Sequence, residues 1–305
     1  MKQVKVWIEA IRVRTLPVSV SGVLIAVGLA KFNGVFRLVP ALMCAVFALL
    51  AQIVSNLANE YFDFKAGTDK KGRVGPRRGV TEGDITPRAM KRAMIGTLVA
   101  TCLVGLSMLL VVDPGEDFGN WLMLIGSGIL IAVFAFAYSA GPYPLSYHAL
   151  GEVAVMGFYG LVPVAFTYYV VGGTFHPFAV IAGIAIGFMG VNVLLVNNYR
   201  DVTDDREAGK RTSVVVFGRK LAAFAYLLNG LMAVSVLGVV WLRLYFASGW
   251  WFLLPVLVYL ALHIATWRKL THTDGAALNP LLGATARNML IFTILLCVVF
   301  VVGGE

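Results

Sequence analysis

The sequence of 305 residues contains little charge: only 13% of its residues are Asp, Glu, Lys or Arg, about half the share usual in soluble domains. This scarcity excludes a soluble enzyme of ordinary composition, and we expect no nucleic-acid partner because the basic residues are too few. Cysteine is also scarce. Cys44, Cys102 and Cys297 each lie within an apolar run, which argues against a disulfide or a thiolate metal site.

Apolar residues make up 59% of the chain, and the mean hydropathy is +0.82. A helix needs about 20 apolar residues to cross the hydrocarbon core of a bilayer. The sequence therefore predicts an all-α polytopic membrane protein, forming a single domain over residues 1–305, with about nine transmembrane helices in a lipid bilayer. The predicted spans are residues 16–33, 38–63, 88–112, 119–139, 147–172, 177–199, 220–243, 250–267 and 286–303.

The basic residues predict how the chain is oriented. Of the 25 Lys and Arg residues, only Lys31, Arg37 and Arg243 lie in segments on the side opposite the N-terminus. Because basic residues are retained on the cytoplasmic side of membranes, the N-terminus and the long polar loops are expected in the cytoplasm. We expect the protein in the inner or plasma membrane of the cell.

Two of these loops contain a similar pattern of polar residues. Asn59 and Asp63 precede Ala-Gly in the first, and Asn197, Asp201 and Asp205 precede Ala-Gly in the second. A spacing of four residues places each Asn and Asp on one helix face. Carboxylates at the C-terminal end of a helix, near the membrane, are costly unless cations neutralise them. The pattern predicts that something positive binds there.

The loops lie four helices apart, which suggests an internal repeat of four plus four helices over residues 16–139 and 147–267, with a ninth helix at 286–303. A shared function without a repeat would also explain the pattern.

Oxygen ligands without Cys or His suit Mg²⁺, which shares its coordination shell with phosphate oxygens. Two facing acidic stripes would hold such ions around a diphosphate, and Gly67 would let the first loop return Asp69 to the site. Basic residues in both loops would neutralise the remaining phosphate charge, although for any single one of them cytoplasmic anchoring is the better explanation. The basic candidates for substrate binding are Lys65, Lys70, Arg73, Arg78, Lys210 and Arg211.

The two loops and two further segments together resemble a known family. The segments are RVRTLP at 12–17, NLANEYFDFKAGTDKKGRVGPRRGVTEGDIT at 56–86, AYSAGPYPLSYHALGE at 137–152 and NNYRDVTDDREAGKRT at 197–212. They are similar to the UbiA-type intramembrane aromatic prenyltransferases, in particular to the branch that prenylates 1,4-dihydroxy-2-naphthoate in menaquinone synthesis. The resemblance implies nine helices around a central cavity with polar cytoplasmic cap loops and an opening toward lipid.

The resemblance also implies roles for single residues. Mg²⁺ would be held by Asp63, Asp69, Asp201 and Asp205, with Asn59 and Asn197 beside the diphosphate of a polyprenyl diphosphate. Tyr138 would face the allylic carbocation with its ring, so that Tyr138, Asp63 and Asp201 are the candidate catalytic residues. Arg12 would hold the carboxylate of the aromatic acceptor, which departs as CO₂.

The sequence departs from the family pattern at Glu60, where Asp is usual, and its role is open. The longer step from Asp63 to Asp69 favours the naphthoate branch. Tyr143, Tyr147, Trp250 and Trp251 are interpreted as residues of the membrane interface, and Glu152 as a cavity residue without an assigned role.

Two alternatives follow from the same residues. The acceptor would be another aromatic compound, such as 4-hydroxybenzoate, homogentisate or a porphyrin, or the protein would be an ion-coupled secondary transporter. Transporter sites lie near the midplane of the bilayer, whereas these acids lie at helix ends beside Arg and Lys, which favours the enzyme.

Overall fold

The structure is a computed structural model that describes residues 2–112 and 118–303. The regular secondary structure of this part of the chain consists of helices, and no strand is present in it. The helices are α1 (Lys2–Ile11), α2 (Leu16–Phe32), α3 (Leu38–Lys65), α4 (Gly79–Glu82), α5 (Pro87–Met108), α6 (Phe118–Ala137), α7 (Gly151–Val155), α8 (Val162–Gly172), α9 (Pro177–Arg200), α10 (Val202–Glu207), α11 (Ser213–Val236), α12 (Gly238–Ser248), α13 (Leu253–Thr271) and α14 (Asn279–Gly303). A π-helical segment, Met156–Leu161, joins α7 to α8.

The described helices confirm the polytopic membrane fold. Eight stretches are long and apolar enough to cross a membrane. The fourth predicted span corresponds to α6, whose apolar part, Trp121–Ala137, is somewhat shorter. The predicted span 220–243 is wrong at its end, because α11 stops at Val236 and α12 starts as a separate helix after Leu237. Near its predicted start, Gly218 breaks α11 with φ +82°, so a short segment capped by Thr212 precedes the continuous helix.

Capping residues fix several helix ends that face the loops. Thr86 accepts a hydrogen bond from the backbone of Ala89 at the start of α5, directly before Pro87. At the other end of the preceding loop, α3 stops at Lys65 and Gly67 adopts φ +71°, a left-handed conformation that favours glycine. The chain therefore leaves α3 at Ala66-Gly67, as the sequence predicts, and the segment that carries Asp69 lies outside the helix.

The most buried helix is α9, which packs against α2, α11, α14 and the π-helical segment. Its small residues allow a neighbouring backbone to approach closely: a Cβ on Gly160 would lie 2.3 Å from the Cα of Gly187. Apolar side chains on the outer helices, such as Leu103 on α5 and Phe246 on α12, are largely exposed, as expected for a surface that faces lipid.

Polar side chains join the helices of the second half inside the bundle. The hydroxyl groups of Tyr226 and Thr285 lie 3.0 Å apart, and Asn288 donates to Thr266 at 2.8 Å. The ring of the buried His263 stacks on Tyr226, and its Nε2 lies 3.2 Å from the Leu227 carbonyl. Through these contacts, His263 contributes to the packing of the helices.

The contact between Gly160 and α9 yields a test of the packing. Gly160→Ala should lower the free energy of unfolding by about 1–3 kcal/mol, because the new methyl group overlaps the backbone of α9. The matched control is Gly157→Ala in the same π-helical segment, where a Cβ meets nothing within 4 Å. Thermal unfolding in detergent measures both variants, and equal melting temperatures would contradict this packing.

A candidate active site between two acidic loops

Two loops meet at one end of the bundle. Each loop contributes a basic side chain that pairs with an acid in the other loop or at the end of the helix before it. The first loop comprises residues 66–86 and the second comprises residues 201–212. From the first loop, Arg73 contacts Asp69 at 2.7 Å through Nη1 and reaches Asp201 at 2.9 Å through Nη2. From the second loop, the ammonium group of Lys210 lies 3.2 Å from Asp63 at the end of α3. This exchange of ion pairs holds the two loops together.

Asp201 has a second basic partner, the neighbouring Arg200 at the end of α9. Arg200 binds both carboxylate oxygens of Asp201 at 2.7 Å and donates to Asn197 Oδ1 at 2.8 Å. The first loop passes close to this guanidinium, because a Cβ on Gly75 would lie 2.8 Å from Arg200 Nη2. Asp201 is thus fixed from both loops.

Asn59 is the meeting point of two guanidinium groups. Arg12 donates to Asn59 Oδ1, and Arg78 donates to the same oxygen at 3.2 Å. Arg12 has a left-handed backbone, φ +56°, which is uncommon for a residue other than glycine. It separates α1 from the turn that leads into α2. At this break between the helices, the Arg12 side chain extends to Asn59 on α3.

A cavity of about 150 Å³ extends from these charges into the apolar interior. Its apolar wall includes Val18, Val155, Tyr159, Val193 and Leu282. Ten of the residues singled out from the sequence line its polar part or its wall: Arg12, Asn59, Asp63, Arg73, Arg78, Tyr138, Asn197, Asp201, Asp205 and Lys210. The cavity therefore joins a charged end to a surface suited to hydrocarbon.

The remaining candidates lie outside this cavity. Asp69 and Lys70 line a neighbouring polar cavity of about 210 Å³ between the loops, together with Asp205. Lys70 is exposed and pairs with Glu207 across the two loops at 3.4 Å. Lys65 and Arg211 are exposed and line neither cavity; the backbone N–H of Arg211 donates to the Tyr147 carbonyl. The sequence groups these bases with the site only because they are close along the chain.

Tyr147 is a residue that sequence reasoning misassigned. The interpretation as an interfacial aromatic is wrong, because its hydroxyl donates to Asp63 Oδ1 at 2.7 Å and its ring lies 4.7 Å from the Lys210 ammonium. Burial and the nearby Asp63 raise the pKa of the Tyr147 hydroxyl, so it remains a donor. Tyrosines of the membrane interface also lie at helix ends, so the position of Tyr147 in the sequence does not distinguish an interfacial residue from a site residue.

Two glutamates have distinct places. Glu60 is buried, does not line the cavity, and accepts a hydrogen bond from the Val80 backbone at 3.1 Å, which anchors the first loop. Glu152 lines the cavity, and its Oε1 accepts from Asn198 at 3.3 Å and from the Ser213 hydroxyl. The unusual Glu at position 60 is therefore a contact within the fold.

Burial changes the acidity of two loop carboxyls. Desolvation raises the pKa of Asp69 to about 6, opposed by the positive charge of Arg73. Desolvation also raises the pKa of Asp205 to about 7, opposed mainly by Lys210. Both carboxyls are held in a site that disfavours their charged form, so an added cation would stabilise them.

The donor set fits a hard divalent cation such as Mg²⁺. Every candidate ligand offers oxygen. Asp69 Oδ2 is buried and accepts no hydrogen bond among the described residues, and its partner is Arg78 Nε at 3.2 Å in an ion pair. Within residues 2–112 and 118–303, however, no three Asp, Glu, His or Cys side chains gather into a cluster that would hold a metal ion. This arrangement suits a cation held by a few carboxylates and completed by phosphate oxygens of a ligand.

The raised pKa of Asp205 predicts how stability changes with pH. The folded state of the metal-free protein holds this proton more tightly than the unfolded chain, so the stabilisation is lost as pH rises through about 7. Asp205→Asn should therefore raise the melting temperature more at pH 8 than at pH 5. Glu207→Gln, at an exposed position of the same helix, is the control and should show no such difference. A destabilisation by Asp205→Asn that is equal at both pH values would refute the assignment.

Comparisons with known proteins agree with this architecture. Residues 19–292 match the UbiA prenyltransferase family. The chain is 35% identical to 1,4-dihydroxy-2-naphthoate octaprenyltransferase of Escherichia coli, over 97% of this chain and 94% of that protein. It is 33% identical to the Mycobacterium tuberculosis protein of the same name, over 94% of each chain. The structure of a UbiA homologue from Archaeoglobus fulgidus bound to GPP and Mg²⁺ has the same fold, with a TM-score of 0.61 and 17% identity over 97% of this chain and 99% of that one. The chain belongs to the UbiA prenyltransferase family and is a multi-pass membrane protein.

Proposed function

We propose that this protein transfers a polyprenyl group from a polyprenyl diphosphate to 1,4-dihydroxy-2-naphthoate, with loss of the ring carboxylate, giving the hydroquinone form of demethylmenaquinone. The observation that carries the proposal is the cavity that opens from two cross-paired acidic loops into an apolar interior. A diphosphate bearing a hydrocarbon chain has this same division into a charged and an apolar part. The naphthoate acceptor is supported by the names of the relatives in Escherichia coli and Mycobacterium tuberculosis.

The acidic residues form the proposed cation site. Asp63 and Asp69 from one side and Asp201 and Asp205 from the other would hold Mg²⁺. The Archaeoglobus fulgidus homologue of the same fold is bound to GPP and Mg²⁺, which supports a cation at a prenyl diphosphate. The bound cation supplies Lewis acidity that draws electron density from the diphosphate. Asn59 and Asn197 lie one helical turn before Asp63 and Asp201 and present amide groups to the same cavity.

The bases of the loops serve the diphosphate in this proposal. Arg73 and Lys210 already reach across to the acids of the opposite loop, and Arg78 lies 3.2 Å from Asp69. With their carboxylate partners engaged by Mg²⁺, these side chains would donate hydrogen bonds to phosphate oxygens. Lys70, Lys65 and Arg211 lie farther out, where exposed positive charge attracts an anionic substrate to the opening.

The apolar wall and Tyr138 protect the reacting carbon. Tyr138 lines the cavity, and its hydroxyl would lie 3.6 Å from a Cβ on Gly151, which places the ring beside α7. An aromatic ring stabilises a nearby cation without reacting with it, and the surrounding apolar side chains exclude water. Arg12, which lines the same cavity, would hold the acceptor carboxylate.

The concentration of basic residues at the site end supports an orientation with the N-terminus and both loops in the cytoplasm. The membrane we propose is the inner or plasma membrane of the cell. We also propose that the chain is a single domain built from two four-helix repeats and a ninth helix. The exchange of ion pairs between loops that follow α3 and α9 gives the two proposed repeats equivalent roles.

Two other activities compete with this proposal. Another aromatic acceptor would use the same donor site, and the acceptor assay below distinguishes them. Ion-coupled transport is disfavoured because the acids are cross-paired with bases at helix ends, and because the chain belongs to a prenyltransferase family.

The first test of the function is a product assay. Purified full-length protein with Mg²⁺ and a series of polyprenyl diphosphates should convert 1,4-dihydroxy-2-naphthoate to a prenylated product and release one CO₂ per transfer. Mass spectrometry identifies the product, and trapped ¹⁴CO₂ from carboxyl-labelled acceptor measures the decarboxylation. 4-Hydroxybenzoate and homogentisate are assayed in parallel. Faster turnover of either, or prenylation without CO₂ release, would exclude the naphthoate assignment.

The second test concerns the acids. Asp63→Asn and Asp201→Asn should each reduce turnover at saturating substrate at least 100-fold, because the amide no longer offers the charge that holds a cation at the diphosphate. Asp84→Asn is the matched control: Asp84 lies in the first loop, pairs with Arg77 and does not line the cavity. The steady-state rate under the product assay measures the effect. Full activity in either site variant would overturn the cation site.

A further inference from the structure

Glu152 is an acid of the cavity whose partners differ from those of Asp63 and Asp201, the two ion-paired acids that line it. Asp63 is paired with Lys210, and Asp201 with Arg73 and Arg200. Glu152 instead accepts hydrogen bonds from two neutral groups, the Asn198 amide and the Ser213 hydroxyl, and both bind the same oxygen, Oε1. Oε2 has no hydrogen-bond or ion-pair partner among the described residues.

The neutral partners determine what the carboxylate can do. An ion-paired carboxylate is a poor proton acceptor, because its charge is already compensated by the neighbouring base. A carboxylate fixed on one oxygen by uncharged donors keeps its negative charge available on the other oxygen. Asn198 on α9 and Ser213 on α11 also fix its direction, as a proton acceptor in an active site requires.

The position of Glu152 places it beside the proposed reaction. The residues that define this position are Glu152 itself, Arg12 and Tyr138, whose hydroxyl would lie 3.6 Å from a Cβ on the neighbouring Gly151. All three side chains line the same cavity. An acceptor whose carboxylate is held by Arg12 and whose ring faces the carbocation beside Tyr138 would thus have Glu152 near its remaining polar groups.

We propose that Glu152 is a further catalytic residue, which accepts the proton of a ring hydroxyl as the acceptor attacks the prenyl carbocation; this rests on the prenyl transfer proposed above. The O–H bond breaks, its electron pair forms the C=O bond of a ketone, and ring electrons form the new C–C bond at the carbon that bears the carboxylate. The proton goes to Glu152 Oε2. When CO₂ departs, the electron pair of the broken C–C bond restores the aromatic ring, and the oxygen takes the proton back from Glu152.

The experiment separates acceptor attack from donor ionisation. Purified full-length protein, Mg²⁺, farnesyl diphosphate and 1,4-dihydroxy-2-naphthoate are incubated, and prenylated product, farnesol and released diphosphate are quantified. Glu152→Gln should reduce prenylated product at least 100-fold, in the range typical of a lost general base. Diphosphate release should fall no more than about threefold, because the acids that serve ionisation are intact, and farnesol from water attack should replace the product.

Two further variants keep the test decisive. Glu152→Asp retains a carboxylate and should form at least ten times more prenylated product than Glu152→Gln, with a lower ratio of product to farnesol than the parent. If Glu152→Gln does not fold, this ratio in Glu152→Asp decides the matter, and a ratio equal to that of the parent overturns the proposal. Glu60→Gln is the matched control, since it neutralises a buried glutamate outside the cavity and should keep the product ratio of the parent.

The outcomes separate a failure of the role of Glu152 from a failure of the proposed prenyl transfer. Product formation by Glu152→Gln within threefold of the parent, or an equal fall in product and diphosphate release, would overturn the role of Glu152. Absence of any prenylated product from the parent protein would instead overturn the proposed function itself.

Discussion

The end of the bundle that carries the candidate active site depends on one constraint. Its carboxylates lie at helix ends and are largely removed from water, so their charge must be compensated. An unpaired buried charge is costly, whereas a pair with good geometry repays much of its desolvation. Arg73 and Lys210 provide that compensation from opposite loops, so each loop is held only when the other is present. The same exchange closes the charged end of the cavity, so the arrangement of the loops and the character of the site have a single cause.

The helices transmit this arrangement into the bundle. Asp63 lies in the last turn of α3 and Asp201 directly follows α9, so the separation of the two acids is determined by how these helices pack with their neighbours. Close approach of Gly160 to Gly187 brings the α7–α8 span against α9, and that span carries Glu152 and Tyr159 into the cavity wall. Apolar packing distant from the loops therefore sets the width of the site.

Much of this organisation is encoded locally and could be predicted from the sequence. Runs of apolar residues locate the spans, and the four-residue spacing of Asn59 with Asp63 and of Asn197 with Asp201 locates the cavity. The partners of the acids could not be predicted, because Arg73, Lys210 and Tyr147 reach them by tertiary contacts. For the same reason Lys65 and Arg211, although close in sequence, lie outside.

The distribution of bases along the chain also explains why the cavity contains two kinds of carboxylate. Between Tyr138 and Glu152 the sequence has no Lys or Arg, whereas the segments that follow α3 and α9 are rich in both. Asp63 and Asp201, beside those basic residues, are ion-paired, whereas Glu152, which begins a span after a connection without bases, is left with neutral donors. A carboxylate that binds a metal cation and a carboxylate that accepts a proton need opposite surroundings. Segregating the bases into two loops supplies both within one cavity.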